Sequence, residues 1–205
     1  NSFPAICLIV SGGHTELVLL TGIGKYKIIG QTLDDAAGVA FDKIARILGL
    51  GYPGGPAIAT EASKLKNTTW KLEHALPRPM LHSKNLDFSF SGLKTAVLYL
   101  VRDLTQKYTL SKIRTAIAAE AQQAIVDVLV AKTMSAAQKY KAKSIMLSGG
   151  VSASKLLRSK LELATQSQKI KFFRPEMEYT TDNAAMIALA GYFASKNKKT
   201  DWKSV

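Results

Sequence analysis

The chain has a single cysteine, Cys7, in 205 residues. No internal disulfide can form, which excludes a disulfide-stapled scaffold and fits a reducing compartment. Cys7 stands in a strand-like apolar run, where its ordinary role is that of a small buried hydrophobe. Histidine is scarce: His14, His74 and His82, with no pair at i, i+4. Without a cysteine cluster beside them, this chain holds no complete zinc-type site by itself. No run of ~20 apolar residues occurs, which argues for a soluble cytoplasmic protein and against a membrane span. The opening Asn1-Ser2-Phe3-Pro4 has no secretory pattern. It also lacks an initiator methionine, so the first residues of the full gene product are expected to lie upstream. No Gly-x-Ser-x-Gly elbow is present, and neither Gly-Gly pair leads into Gly-Lys-Ser/Thr, which removes the hydrolase elbow and the P-loop. Acidic residues are few, 15 against 28 Lys and Arg, for a net charge of +13. Such a field suits a polyanion, nucleic acid first. The lysines at 139, 141 and 143, and those of the tail at 196, 198, 199 and 203, equally suit a solvated surface.

What is present is a strand meander followed by helices and further strands. Residues 5–10, 15–20 and 26–30 read as three strands joined by short glycine-containing links, hence an antiparallel meander. Asp34-Asp35-Ala36-Ala37 opens a helix that either aspartate could cap. Its apolar face is Phe41, Ile44, Ala45 and Leu48. Residues 51–56, Gly-Tyr-Pro-Gly-Gly-Pro, read as a rigid loop, and 58–65 as a helix. Residues 67–82 look like irregular, exposed connection, and 87–92 like a short strand or an extended loop. A helix is expected over 93–108. Ser111 is expected to cap a long one with Ile113, Ile117, Ala121, Ile125 and Leu129 inward. Residues 145–147 form a buried strand, and Ser152 is placed as the N-cap of a helix over 153–164. A strand at 170–173 and an Ala-rich helix at 184–195 follow, and residues 196–205 are a polar, frayed tail.

The order is β-β-β, a helical insertion over about 35–140, then β-α-β-α. That is an α/β layout, the ribonuclease-H-like lobe of the actin-like ATPase fold shared by actin, sugar kinases and Hsp70. One lobe is expected over 1–195, with the companion first lobe absent from this chain.

Two glycine turns stand out, Ser11-Gly12-Gly13-His14 and Ser148-Gly149-Gly150-Val151-Ser152. A strand running through glycines toward a helix start presents backbone N–H groups to phosphate or ribose. Each is also compatible with a tight turn and nothing more. His14 is the one histidine in such a turn. Asp182, at a helix start, reads either as an N-cap or as a carboxylate aimed at a cleft and holding a metal. Asp42 reads as a surface charge or as a ribose acceptor, and Gly54-Gly55 as a turn or a ligand crossing.

Taken together and in order, several of these stretches resemble the tRNA threonylcarbamoyladenosine transferase TsaD family, in its bacterial and mitochondrial branch. They are residues 9–15 (Ile-Val-Ser-Gly-Gly-His-Thr), Asp34-Asp35-Ala36-Ala37-Gly38 with Phe41-Asp42-Lys43, and Tyr52-Pro53-Gly54-Gly55-Pro56. Asp87-Phe88-Ser89-Phe90-Ser91-Gly92-Leu93-Lys94-Thr95, the turn 148–152 and Thr181-Asp182-Asn183-Ala184 complete the set. The resemblance implies an acyltransferase that moves a threonylcarbamoyl group from threonylcarbamoyl-AMP to N6 of the adenosine 3′ to the tRNA anticodon. It implies that Ile9, Val10, Ser11, Gly12 and Gly13 cradle the carbamoyl end, and that Asp42 and Gly55 contact the adenylate (threonylcarbamoyl-AMP, ATP or ADP). Asp182 would bind one divalent metal, iron or zinc, acting as a Lewis acid. TsaB- and TsaE-type accessory proteins are implied partners. Two departures matter. The family's His-x-x-x-His pair precedes the first glycine turn and is not in this chain. Ser154 stands where the family usually has an adenosine-contacting Asn. Rival expectations are a metabolite kinase of the same superfamily and a non-catalytic partner subunit of the modification complex.

Overall fold

The computed structural model describes residues 2–67 and 69–195. The tail expected over 196–205 lies outside them. Five strands form one sheet: β1 (Ala5–Val10), β2 (Thr15–Gly22), β3 (Lys25–Gln31), β4 (Ser144–Ser148) and β5 (Lys171–Phe173). Their spatial order is β3-β2-β1-β4-β5. The β1–β2 and β2–β3 pairs are antiparallel, whereas β1–β4 and β4–β5 are parallel. This is the predicted meander followed by helix-linked parallel strands.

Four helices lie between β3 and β4: α1 (Ala37–Ile47), α2 (Gly54–Ala62), α3 (Ser91–Leu104) and α4 (Leu110–Lys139). Later come α5 (Lys155–Ser167), linking β4 to β5, and α6 (Ala184–Ser195). β1 turns Ile6, Leu8 and Val10 into the core, and the α4 stripe Ile113, Ile117, Ala121, Ile125 and Leu129 meets the same core. All eight are fully buried, each large aliphatic among them contributing on the order of 2 kcal/mol. Cys7 is half-buried on the other strand face, and burial pushes its thiol up to about 11, which leaves it unreactive.

Several expected helix starts move, for reasons that lie far along the chain. Neither Asp34 nor Asp35 caps α1. The Thr15 hydroxyl accepts the Ala37 N–H at 2.9 Å and the Ser11 carbonyl accepts that of Gly38 at 3.1 Å. Asp35 instead pairs with Lys43 at 2.6 Å. Asp34 serves α3: its carboxylate accepts the Phe90 and Ser91 N–H groups and the Ser89 and Ser91 hydroxyls. α3 therefore begins at Ser91 rather than 93, and it ends at Leu104. Of the 87–92 stretch only residues 87–90 are extended, touching the chain just past β3 through a Thr32–Phe88 bridge, with Phe88 and Phe90 fully buried, while Ser91 and Gly92 are already helical. The expected rigid loop at 51–56 is half helix, because α2 starts at Gly54 with Pro56 in its first turn, where a missing N–H costs nothing. Ser111 lies inside α4, which follows Thr109 without a side-chain cap.

At the second glycine turn, Ser154 and not Ser152 caps α5, accepting the Leu157 N–H. Ser152 lies in a short 3-10 turn (Gly150–Ala153), fully buried, its hydroxyl without a partner. Gly149 sits at φ 91°, ψ 166°, a region open essentially to glycine alone. A Cβ there would stand 2.4 Å from the Val10 carbonyl. Gly149→Ala is expected to lose about 2–3 kcal/mol of stability, read as a lower denaturation midpoint with an unchanged slope in urea.

Candidate functional site

Because β1 and β4 are parallel neighbours, both glycine turns leave the same edge of the sheet, at the strands' carboxyl ends. In open α/β sheets ligands bind there. The register pairs Ile9 with Ser148, so the second turn starts beside the end of β1, two residues before the first turn begins at Ser11. Gly38 allows α1 to pack beneath the first turn, since a Cβ on it would meet the Ser11 carbonyl at 2.5 Å. α2 then closes a third side. The result is a cleft of about 1640 Å³ floored by Gly12, Gly55 and Gly150, with Asp42, Val151 and Ser154 between them.

These three glycines differ from Gly38 and Gly149. None has left-handed φ, and a Cβ on any of them would meet nothing within 4 Å. Neither conformation nor packing within the protein asks for glycine there. Glycine there leaves the backbone bare toward the cleft, which gives a ligand room for close approach. Gly55 also lies in the first turn of α2, where N–H groups have no intrahelical acceptor.

Of the expected site residues, Gly12, Asp42, Gly55 and Ser154 line the cleft together. Ile9 and Val10 are strand residues, with Val10 wholly in the core. The Ser11 hydroxyl accepts the Gly13 and His14 N–H groups at 3.2 and 3.0 Å, which ties up the turn internally. Gly13 and His14 are exposed and stand outside the lining. Asp42 accepts the Gly54 N–H on Oδ1 at 2.7 Å, and among the described residues its Oδ2 has no hydrogen-bond partner. That free oxygen suits a ribose hydroxyl donor. Ser154, though it caps α5, keeps its own O–H to donate.

Asp182 is exposed and does not cap α6. Asn183 does, accepting the Met186 N–H at 3.0 Å. Thr180 and Thr181 reach the cleft, but Asp182 is not in its lining. Among the described residues no three ligating side chains converge on a point. The residues described therefore do not by themselves complete a metal site. α6 buries none of its residues, although Met186, Ile187, Leu189 and Tyr192 are apolar or aromatic.

The outer wall of the cleft was not foreseen. Trp70, Lys71 and Leu72 line it, from the stretch read as exposed connection. Arg78 pins that stretch to α4. Its guanidinium donates to Glu120, to the Leu76 carbonyl at 2.7 Å, and to Asp127 through Nε and Nη2 at 3.2 and 3.0 Å. Lys160 of α5 joins Asp127 at 3.0 Å. Burial alone would raise the Asp127 carboxyl, but the Lys160 and Arg78 donors hold it below the usual range. The one sequence signal was the acidic pair Glu120 and Asp127, seven apart on α4 and hence on one helix face. On α2, Glu61 is buried, and burial would raise it too. Hydrogen bonds from Lys64 and Thr115, with the charge of Arg114, bring it below its ordinary value.

Sheet order, parallel pairing and cleft position define a lobe of the actin-like ATPase fold. In agreement, the chain superposes on HypF from T. kodakarensis with a TM-score of 0.51 at 17% identity, over 78% of this chain and 21% of that one. The family model described as tRNA N6-adenosine threonylcarbamoyltransferase, TsaD, matches residues 1–189. Proteins named tRNA N6-adenosine threonylcarbamoyltransferase are similar throughout. That of Herminiimonas arsenicoxydans is 53% identical over 92% of this chain and 54% of its own length. That of Thermosipho africanus is 50% identical over 92% and 55%, and that of Francisella philomiragia 48% over 97% and 58%. The chain belongs to the TsaD family, and it spans about half the length of the curated relatives it matches.

Two measurements test the site's supports. Arg78→Ala leaves two partly buried carboxylates without their partner and is expected to cost about 2 kcal/mol, below the ~3–5 typical of a fully buried pair. Arg78→Lys, without the planar fork, is expected to recover less than half of that loss. Glu61→Gln is expected to cost about 1–2 kcal/mol at neutral pH. Because the folded-state value is lowered, this contribution is full above the unfolded glutamate value. It disappears as pH falls through the lower folded one. Chemical denaturation of both proteins across the acid range should show the two stabilities converging.

Proposed function

We propose that this chain forms the nucleotide-holding lobe of a tRNA N6-adenosine threonylcarbamoyltransferase. The observation that carries the reading is the cleft floor, where Gly12, Gly55 and Gly150 offer bare backbone that the protein itself does not need. A flat, phosphate-bearing ligand fits that floor: threonylcarbamoyl-AMP, or ATP or ADP in its place. Asp42 Oδ2 accepts from a ribose hydroxyl, Ser154 donates to base or ribose, and the backbone at Gly12 faces the carbamoyl end. In the proposed reaction, N6 of the tRNA adenosine attacks the carbamoyl carbon. The bond from that carbon to the phosphate oxygen breaks, AMP departs, and N6 releases a proton to solvent. Holding the adenylate fixed gives the rate gain of a positioned reaction.

Asp182 is proposed as a single carboxylate ligand for divalent iron or zinc, the remaining ligands coming from outside this chain. Bound there, the metal would polarise the carbamoyl carbonyl. TsaB- and TsaE-type proteins are proposed partners in the cytoplasm. No helix among the described residues is long and apolar enough to cross a membrane.

The test is transfer of labelled threonylcarbamoyl from threonylcarbamoyl-AMP to tRNA by the full-length protein. Asp42→Ala is expected to lower kcat/KM by about 10–100-fold, mostly through KM, as loss of a charged hydrogen bond does. Absence of transfer together with ATP-dependent phosphorylation of a metabolite would overturn the reading in favour of a kinase. Wild-type transfer that is unaffected by Asp42→Ala would remove Asp42 from the site.

A further inference from the structure

The end of the sheet opposite the cleft is unlike the rest of the surface. Strand register places Tyr26, Leu20, Ala5, Ser144 and Lys171 in one row across all five strands. Around that row three segments bring lysines to the same edge. Lys25-Tyr26-Lys27 opens β3, the run Lys139-Tyr140-Lys141-Ala142-Lys143 joins α4 to β4, and Lys169-Ile170-Lys171 opens β5. The segments are tied there by backbone bonds, Lys143 N–H to the Pro4 carbonyl at 2.8 Å and Lys171 N–H to the Lys143 carbonyl at 3.1 Å. All seven lysines are exposed, and none forms an ion pair among the described residues. Tyr26 stands among them at 73% exposure.

Lysines left without counter-charges cost stability by mutual repulsion, and a polyanion relieves it. Strands ~4.8 Å apart spread this rim over about 19 Å from β3 to β5. β1 sets it about 20 Å from the Gly12 turn, at ~3.3 Å per residue. A basic row of that width suits the phosphates of a helical nucleic acid. It is not the apolar-faced basic helix that lies in a membrane interface.

We infer that this lysine rim is a second, sequence-independent contact for the RNA, gripping the phosphate backbone of a helical arm outside the anticodon stem while the anticodon end reaches the cleft. The inference rests on the transferase reading, which makes tRNA the substrate. It adds where the rest of that molecule lies. Phosphate contacts of this kind position without reading sequence.

The test uses the full-length protein and labelled tRNA in fluorescence anisotropy between about 50 and 200 mM salt. One variant carries Lys25→Gln, Lys27→Gln, Lys143→Gln and Lys171→Gln. A control carries Lys66→Gln, Lys84→Gln, Lys107→Gln and Lys112→Gln, exposed lysines elsewhere with the same charge removed. The rim variant is expected to bind whole tRNA at least tenfold more weakly, with the salt slope shallower by about three. The control is expected to change less than threefold. Transfer to an isolated anticodon stem-loop is expected to proceed at the wild-type rate in both. Equal weakening by the two variants overturns the inference, as does an equal loss on the stem-loop and on whole tRNA. So does unchanged tRNA affinity with loss of binding to anionic phospholipid vesicles. Failure of the wild type to modify either RNA overturns the transferase reading itself, an outcome separate from these.

Discussion

The parallel pairing of β1 with β4 is the contact on which the site depends. Two strands 139 positions apart in register, Ile9 beside Ser148, are hydrogen-bonded along their length and end together. Their outgoing turns therefore emerge at one edge, and the second passes directly over the last carbonyl of β1 at Gly149. α1 is fixed by the first turn, through the Ser11 carbonyl and the Thr15 hydroxyl. α2 is fixed in turn by α1, through Asp42 and the Gly54 N–H. A shift of one residue between β1 and β4 would separate the glycines and turn each strand's buried side chains outward. Core packing and cleft geometry are thus held by the same register.

α4 is the second support. It runs behind the cleft and meets both walls with charge. Glu61 ties α2 to it through Thr115 and Arg114, and Arg78 ties the 69–82 stretch to it through Glu120 and Asp127. These carboxylates, Glu61 buried and Glu120 and Asp127 partly so, are each held by several donors, the arrangement in which a charge stays ionised despite burial. Removing one partner is costlier than the pair is worth, because the other charge remains without solvent. Acid therefore loosens the walls from α4 while the strand core, which is apolar, is untouched.

The strands and the long helix were legible because their periods are local: alternation in β1, and the four-residue recurrence from Ile113 to Leu129. The helix starts were less so, because their partners are remote. Asp34 reads as the cap of the helix just after it, yet it caps α3, 56 residues on at Phe90. Ser152 and Ser154 are equally good capping residues, and only the turn's path decides that the first is buried and the second caps. The same holds for Asp182 beside Asn183. Arg78 gave little local sign, since its acceptors are 42 and 49 residues away. Within the site, Gly12, Asp42, Gly55 and Ser154 were named from family motifs and do converge. Gly13, expected alongside them, stands outside the lining, its N–H taken by Ser11.

Sequence treats all glycines of the motifs alike, whereas the structure divides them by what would meet a side chain. At Gly38 and Gly149 the obstacle is this chain's own backbone, so those residues are needed for folding whether or not a ligand binds. At Gly12, Gly55 and Gly150 there is no obstacle. An alanine at any of them would find room, adopt an ordinary backbone and cost the unfolded chain some of its entropy, which favours the fold. Stability alone therefore gives no reason for glycine at these three cleft positions, and would argue for alanine. Glycine at these three keeps the backbone bare on the side that faces the cleft, the feature on which the proposed nucleotide site rests.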